Sequence, residues 1–227
     1  MSNAKMIVAE PRSRIIASDL EGTLTTGETW RGLRAYLEQH GRKTDFQLFF
    51  ASQILGFTAA KLGLMPKREF QNRWTANIMR LFAGQTLEQF QEIATWIAEH
   101  ELLPKARRSV LSELEAARDQ GTRIILASGT YQPVLEAFAK PFGFEAIGTP
   151  LEYSNGRLIG KVIGQINVGL EKRQKLEQRL AGQKLDVAYG DTLPDIPMLE
   201  MAQTAIVVSG DSALERIAKA RGWRIVA

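Results

Sequence analysis

The stretch Arg14-Ile-Ile-Ala-Ser-Asp19 is a short apolar run that ends in an acid, and Leu20 to Leu24 continues it as an acidic turn. Three further runs of β-branched and aliphatic residues end in a hydroxyl or an acid: Thr122 to Ser128, Leu185 to Asp191 and Thr204 to Ser209. Runs of this length without alternation are typical of parallel strands that are buried on both faces. The sequence therefore predicts a parallel sheet.

Helical patterns separate these runs. They cover residues 105–117, 132–140, 171–180, 194–202 and 212–221. The alternation of strand and helix predicts an α/β fold with a doubly wound, mostly parallel sheet, to which Trp223 to Val226 adds a last short strand. Ligands bind such sheets at the carboxyl ends of the strands, where Asp19, Ser128 and Asp191 are expected to lie.

A long segment after the first strand interrupts the alternation. Residues 27–103 are predicted to form an all-helical cap, inserted into a core that comprises residues 1–26 and 104–227. Within the cap, the uncharged run Phe46 to Ala60 is too short and too polar to span a membrane and is predicted to be a buried helix. In the core, Asn155-Gly156 favours a tight hairpin turn between Leu151 and Val162.

The composition excludes several classes of enzyme. The 227 residues contain no cysteine and two histidines, so cysteine nucleophiles, thiolate zinc sites and His-rich metal centres are ruled out. The net charge of +4 comes from a modest basic excess in residues 27–108, which suits a small anionic substrate at least as well as a nucleic acid, and we expect no nucleic-acid partner. Residues 1–12 lack the apolar core of a signal peptide, so we expect a cytoplasmic protein without a membrane span.

The acidic turn after the first predicted strand has the residues for phosphoryl transfer. Asp19, at a strand end, can attack phosphorus beside a cation, and Glu21, two residues on, can protonate a leaving oxygen. Gly22 allows the sharp bend between them and the next helix. Taken alone, the pattern also fits a strand that runs into a solvated acidic turn.

A second acidic pair follows a later strand, in the sequence Gly190-Asp-Thr-Leu-Pro-Asp195. Asp191 and Asp195 bracket Pro194, which can open a helix, so both carboxylates can face the strand-end pocket. Magnesium prefers such oxygen ligands together with water and phosphate. The alternative is a helix N-terminus that favours acids through its dipole.

Two further positions offer groups for a phosphate. Ser128-Gly129 supplies a hydroxyl and backbone N–H groups at a strand end, although a hydroxyl N-cap of the following helix is an equal alternative. Lys172, just after Gly169, can neutralise the phosphate and the nucleophile, although a single lysine is more often a solvated surface residue.

Taken in their order along the chain, these four clusters resemble the four motifs of the haloacid dehalogenase-like superfamily. The position of the helical insert, directly after the first motif, resembles that of the cap in the phosphoserine-phosphatase-like branch. The resemblance implies a magnesium-dependent phosphatase with an aspartyl-phosphate intermediate. It implies three catalytic residues: Asp19, Glu21 and Lys172. It implies four substrate-binding residues: Thr23, Glu28, Ser128 and Gly129. It implies four metal ligands: Asp19, Glu21 through its backbone carbonyl, Asp191 and Asp195.

Two departures from the family pattern bear on the substrate. Glu21 stands where most of these phosphatases have aspartate, although one branch of phosphoserine phosphatases and homoserine phosphotransferases resembles this chain there. Pro194 replaces an asparagine that precedes the second acid of the last motif. The arginine that would bind the carboxylate of phosphoserine has no clear counterpart, with Arg73 and Arg80 as the nearest candidates.

The sequence predicts hydrolysis of a small phosphorylated metabolite as the function. Transfer of the phosphoryl group to an alcohol is one alternative, because the branch with glutamate at this position includes phosphotransferases. A phosphate-ester-binding protein that has lost catalysis through Glu21 and Pro194 is another. The identity of the metabolite and the oligomeric state are left open.

Overall fold

A computed structural model describes residues 13–227, and in this part of the chain six strands form one parallel sheet in the order β3-β2-β1-β6-β7-β8. The strands of the sheet are β1 (Ile15–Ser18), β2 (Arg123–Tyr131), β3 (Glu145–Thr149), β6 (Leu185–Gly190), β7 (Ala202–Val208) and β8 (Arg224–Val226). The strand β1 lies near the centre, where Ile16 is in register with Ile124 of β2 and Val187 of β6. Residues 1–12 lie outside the described part, and so does the expectation that they form no signal peptide.

Helices cover both faces of the sheet. The described helices are α1 (Thr29–Gln39), α2 (Lys43–Ser52), α3 (Ile54–Lys61), α4 (Lys67–Ile78), α5 (Leu87–Ile97), α6 (Arg108–Asp119), α7 (Gln132–Ala139), α8 (Leu170–Leu180), α9 (Ile196–Leu199) and α10 (Ser212–Arg221). One core cluster contains Ile16 with apolar residues of α6 and α7, and the other contains Ala17 with residues of α8 to α10. The prediction of a doubly wound α/β fold is confirmed.

The hairpin forms at the predicted turn. It joins β4 (Leu151–Ser154) to β5 (Arg157–Val162). Asn155 and Gly156 have φ angles of 49° and 73°, the left-handed conformation that tight hairpin turns require. The hairpin also ties down the inserted helices, since Leu158 exchanges backbone hydrogen bonds with Gly84 and Gln85, each of 2.8 Å.

The inserted segment is helical from α1 to α5, with a 3-10 turn at Met79–Phe82 and a π-helical turn at Ala98–Leu102. Apolar residues of α1 and α5 belong to the same core cluster as Ile124 and Leu126 of the sheet. The insert and the sheet therefore share one continuous apolar cluster, to which α7 also contributes. Its division from the core at residues 27–103 stays a prediction.

The expectation of a buried helix over Phe46 to Ala60 is wrong. The run forms two helices, α2 and α3, and only one side of them is covered: Phe46 and Phe49 are buried, whereas Leu55 is 83% exposed. Uncharged helices have no polar face to mark their solvent side, so the sequence pattern suggested complete burial. Within residues 13–227, no helix has both the length and the apolar character needed to cross a membrane.

Several predicted element ends shift. The strand β2 continues through Ser128 to Tyr131, with an irregular register against β3 after Ala127. Because α7 begins at Gln132 with Tyr131 at its N-cap, Ser128 does not cap that helix. The predicted helix over 194–202 is reduced to a 3-10 turn, Leu193–Asp195, and the single turn α9.

Candidate active site

The candidate site lies where β1, β2 and β6 end side by side. Asp19 directly follows β1, and its backbone N–H donates to the carbonyl of Tyr189 in β6 at 3.0 Å. Asp191 directly follows β6, and Ser128 lies in the last part of β2. Parallel strands thus bring together three residues that are more than 60 positions apart in the sequence.

Lys172 is a buried residue at the centre of this site. It lies in the first turn of α8, and only 2% of its surface is exposed. Its Nζ donates to Oδ1 of Asp19 at 2.7 Å and to Oδ1 of Asp195 at 2.6 Å. Burial alone would lower the pKa of Lys172, but the charges of the two carboxylates outweigh it and raise the pKa. Lys172 therefore stays charged, and the alternative of a solvated surface lysine does not hold.

Both carboxylate oxygens of Asp195 accept hydrogen bonds. While Oδ1 binds Lys172, Oδ2 accepts from the backbone N–H groups of Asp191 and Thr192 at 3.2 and 3.1 Å, and from the Thr192 hydroxyl at 3.0 Å. Asp195 thus also takes part in a capping box of the 3-10 turn that follows β6. Its contacts suit a residue that fixes Lys172 and the loop after β6.

Asp191 lies against the turn after β1. The hydroxyl of Thr23 donates to its Oδ1 at 2.8 Å. A Cβ at residue 22 would collide with the Asp191 carboxylate, and Gly22 has a φ of 88°, so glycine is needed there for space as well as conformation. Burial, followed by the charges of Asp19 and Asp195, raises the pKa of Asp191 to about 7.

The three aspartates fit a hard divalent cation. Asp19, Asp191 and Asp195 each offer a carboxylate oxygen within 4.8 Å of the others. Burial also raises the pKa of Asp19 to about 6, although Lys172 acts in the opposite direction. Oxygen donors that are held together and resist ionisation are the environment that a cation such as Mg²⁺ stabilises. The side chain of Glu21 is not in this group, so its predicted contribution to the metal rests on its backbone carbonyl.

Glu21 is held by two threonines from different elements. Its Oε1 accepts from the backbone N–H of Thr29 at 2.9 Å, from the Thr29 hydroxyl, and from the Thr130 hydroxyl at 2.9 Å. Burial raises the pKa of Glu21, and these hydrogen bonds oppose the rise. A carboxyl group that is fixed in place and favours its neutral form is suited to donate a proton.

The end of β2 is held by a residue that no motif or periodic pattern in the sequence had indicated. Asn167 is fully buried, and its Nδ2 donates to the carbonyls of Ser128 at 3.1 Å and Ile147 at 2.6 Å. The carbonyl of Gly129 accepts from the Thr149 hydroxyl at 2.8 Å. Asn167 lies in an irregular loop without any motif, whereas Thr29 and Thr130 at least adjoin Glu28 and Gly129.

Ser128 and Gly129 line a cavity of about 930 Å³ together with Asp19, Glu21 and Lys172. The other predicted substrate-binding residues lie apart from it. Thr23 is buried against Asp191, and Glu28 forms an ion pair with Arg31 at 2.5 Å. Neither of them is among the residues that line the cavity.

The comparison with protein families agrees with this geometry. The family described as haloacid dehalogenase-like hydrolase matches residues 16–200, a range that contains Asp19, Ser128, Lys172, Asp191 and Asp195. The chain belongs to this family.

Two relatives described as phosphatases are similar to this haloacid dehalogenase-like hydrolase over most of its length. The chain is 30% identical to a histidinol-phosphatase of Neisseria meningitidis over 92% of its own length and 96% of the relative. It is 26% identical to the phosphoserine phosphatase SerB1 of Mycobacterium tuberculosis, over 91% of its own length and 68% of the relative. It is an enzyme of the phosphoric monoester hydrolase class, as the sequence predicts.

A solved structure shares the fold along almost the whole chain. A protein of unknown function from Bordetella pertussis Tohama I superposes with a TM-score of 0.78 at 21% identity, covering 95% of this chain and 99% of that one. The inserted helices and the sheet therefore both lie within the shared fold.

Proposed function

We propose that this haloacid dehalogenase-like enzyme is a magnesium-dependent phosphatase of small metabolites that works through an aspartyl-phosphate at Asp19. The observation that carries the proposal is the position of Lys172, whose Nζ bridges Asp19 and Asp195 at 2.7 and 2.6 Å beside a third carboxylate, Asp191. A nucleophile held next to a buried cation and a cation-binding group suits attack on a phosphate dianion.

The proposed first step transfers the phosphoryl group to the enzyme. A carboxylate oxygen of Asp19 forms a bond to phosphorus while the bond from phosphorus to the ester oxygen breaks. Glu21 gives its proton to the departing alcohol oxygen, so the alcohol leaves neutral. Lys172 and the Ser128 and Gly129 groups hold the phosphoryl oxygens. A magnesium ion held by Asp19, Asp191 and the Glu21 carbonyl would balance their charge, while Asp195, whose oxygens are engaged by Lys172 and the loop after β6, would support the site from behind these ligands.

The second step returns the enzyme to its starting state. Glu21, now a carboxylate, takes a proton from a water molecule as the water oxygen attacks phosphorus. The bond between phosphorus and Asp19 breaks, inorganic phosphate leaves, and Glu21 is again protonated. The hydrogen bonds from Thr29 and Thr130 keep the carboxyl group in one place through both steps.

Histidinol phosphate is the first substrate to test. The relative from N. meningitidis supports it, with 30% identity over nearly the full length of both chains. The charges of the cavity argue against phosphoserine, because among residues 13–66 and 69–227 Lys172 is the one basic residue that lines it. Arg73 pairs with Glu69 at 2.7 Å, and Arg80 does not line the cavity, so neither is placed to bind a substrate carboxylate.

Release of phosphate by the purified enzyme tests the proposal. We expect hydrolysis of histidinol phosphate in magnesium, loss of activity in a chelator, and recovery when magnesium is restored. Asp19→Asn should be inactive at every magnesium concentration, because an amide is not a nucleophile. Full activity of the parent enzyme in chelator, or of Asp19→Asn in magnesium, would contradict the mechanism.

A further inference from the structure

Two tryptophans of the inserted helices form part of the wall of the cavity that contains the charged groups. Trp30 lies in α1 and Trp74 in α4, and both line the cavity that contains Asp19. Their rings meet edge to face, with centroids 6.3 Å apart and an angle of 88° between the planes. Neither is fully buried, and each contributes to the lining of this cavity, while Trp30 also borders a second pocket together with Arg31 and Arg34.

This aromatic wall is rigidly supported. The ring of Trp74 lies 5.0 Å from that of Phe49 and 5.7 Å from that of Phe50. The same helix is tied to the sheet, because the Tyr131 hydroxyl of β2 donates to the carbonyl of Thr75. A preformed aromatic surface in the cavity that contains the nucleophile can therefore select substrates by shape.

The charges around the cavity disfavour an anionic alcohol. Lys172 is engaged by Asp19 and Asp195, and Asp211 at the cavity wall is a further acid. Arg31 lies 5.4 Å from the Trp30 ring centroid, but it pairs with Glu28 and is not among the residues that line the cavity. Among residues 13–66 and 69–227, a carboxylate on the substrate would thus meet acids and aromatic rings at the cavity wall, and the one basic residue there, Lys172, is already paired.

We propose that Trp30 and Trp74 bind the alcohol part of the substrate and select phosphate esters whose alcohol carries an aromatic ring and no carboxylate. This inference rests on the proposed function, since it takes the phosphate to lie at Asp19. A substrate ring packs against the two indoles at the spacing and tilt that aromatic pairs prefer. The cavity of about 930 Å³ leaves room for a ring beyond the phosphate, so Trp30 and Trp74 are specificity-determining residues.

Three esters separate ring recognition from apolar burial and from charge. For the parent enzyme we expect kcat/KM to be highest for 2-phenylethyl phosphate, lower for the ring-free hexyl phosphate, and lowest for phosphoserine. Equal values for the phenyl and hexyl esters, or a preference for phosphoserine, would overturn the inference while leaving the phosphatase function intact.

Variants locate the selection. Trp30→Leu and Trp74→Leu should each raise KM for the phenyl ester about three- to tenfold with little change for the hexyl ester, the range expected for loss of one aromatic pair. Trp30→Phe and Trp74→Phe should retain most of the preference. Trp96→Leu is the matched control, because Trp96 also lies in the insert but packs on Tyr36 and His100 outside the cavity. An equal loss for both esters, or the same loss in Trp96→Leu, would refute a specific role.

Binding to Asp19→Asn gives a readout that does not depend on turnover. Calorimetry of this variant with the phenyl and hexyl esters should show tighter binding of the phenyl ester. Adding Trp74→Leu to Asp19→Asn should remove the difference in affinity. If the parent enzyme hydrolyses no ester, the proposed function fails, and the calorimetry still decides whether the indoles recognise a ring. Equal affinities would overturn the inference.

Discussion

Lys172 and Asp19 are 153 positions apart in the chain, and their side chains meet at 2.7 Å in a buried site. The lysine is held from the other side by Asp195, so one cation connects the ends of β1 and β6. Removing it would leave two carboxylates buried without a counter-charge. This contact therefore has a structural role in addition to the catalytic one that we propose.

Lys172→Met should lower kcat at saturating magnesium by at least about 10²-fold, because the positive charge beside the developing phosphoryl charge is lost. It should also destabilise the enzyme by about 3–5 kcal/mol, the usual cost of removing one partner of a buried ion pair. Arg173→Met is the control, since Arg173 lies next to Lys172 but pairs with Glu177 on the exposed side of α8. Similar effects of the two substitutions on kcat would contradict the role of Lys172.

Thr23→Val should weaken magnesium activation with less effect on kcat once the metal is saturating. The hydroxyl of Thr23 orients Asp191 from a distance of 2.8 Å, and loss of such a partner commonly costs about 10–100-fold in metal affinity. Asp191→Asn should shift the magnesium titration further. A titration of activity against free magnesium measures the metal requirement of each variant. Unchanged titrations would mean that Asp191 does not hold the metal.

In chelator, Asp191→Asn should be more stable than the parent enzyme at pH 8. The pKa of Asp191 is raised from 3.8 to about 7, so its charged form destabilises the metal-free native state above that pH. The stability of the parent should fall as pH rises from about 4 to 8, and the advantage of the variant should disappear below pH 4, where the acid is protonated in both states. Thermal unfolding of both proteins across this pH range measures the effect, and we expect their midpoints to differ by several degrees at pH 8.

Magnesium provides the control for the pH experiment. A bound cation stabilises the charged form of Asp191, so added magnesium should reverse the order of the two proteins at pH 8. If the variant remained more stable in saturating magnesium, Asp191 would not be a metal ligand. If it were less stable than the parent in chelator at pH 8, the carboxylate would not be destabilised by its surroundings.

The sequence located the ends of β1 and β6 because each buried strand stops at an acid. It did not reveal that Asp195 accepts four hydrogen bonds, or that Asn167 ties β2 to β3, because such contacts depend on loops whose paths have no periodic signal. The exposed side of α3 was missed for a different reason. An apolar helix is predicted to be buried on hydrophobicity alone, and the sequence does not say what it packs against.

Thr29→Val tests whether the insert positions the acid. Thr29 begins α1 and donates to Glu21 through both its backbone N–H and its hydroxyl, whereas Val keeps the backbone donor alone. We expect a lower kcat for alkyl phosphates with KM nearly unchanged, and a retained KM would distinguish misplacement of the acid from a damaged pocket. Thr26→Val, near the start of the same segment but exposed, should have little effect.

Glu21→Gln separates the two proton transfers. Alkyl phosphates should be cleaved about 10²–10⁴ times more slowly, the usual contribution of a positioned acid. Nitrophenyl phosphate should behave differently, because nitrophenolate leaves without a proton and the first step survives. Attack of water on the aspartyl-phosphate still needs a base, so this substrate should give a burst of nitrophenol followed by a slow steady rate.

During that slow phase the phosphoryl group should remain on Asp19, where mass spectrometry of the acid-quenched protein can detect it. Glu21→Asp should keep substantial activity if the turn after β1 adjusts to a carboxylate that is shorter by one methylene. The hydrogen bonds from Thr29 and Thr130 limit that adjustment, so we expect the activity of Glu21→Asp to fall between the activities of the parent and of Glu21→Gln. If Glu21→Gln instead matched the parent on both kinds of substrate, Glu21 would not be the acid and base. Glu28 would not be an obvious replacement, because it pairs with Arg31 away from the cavity.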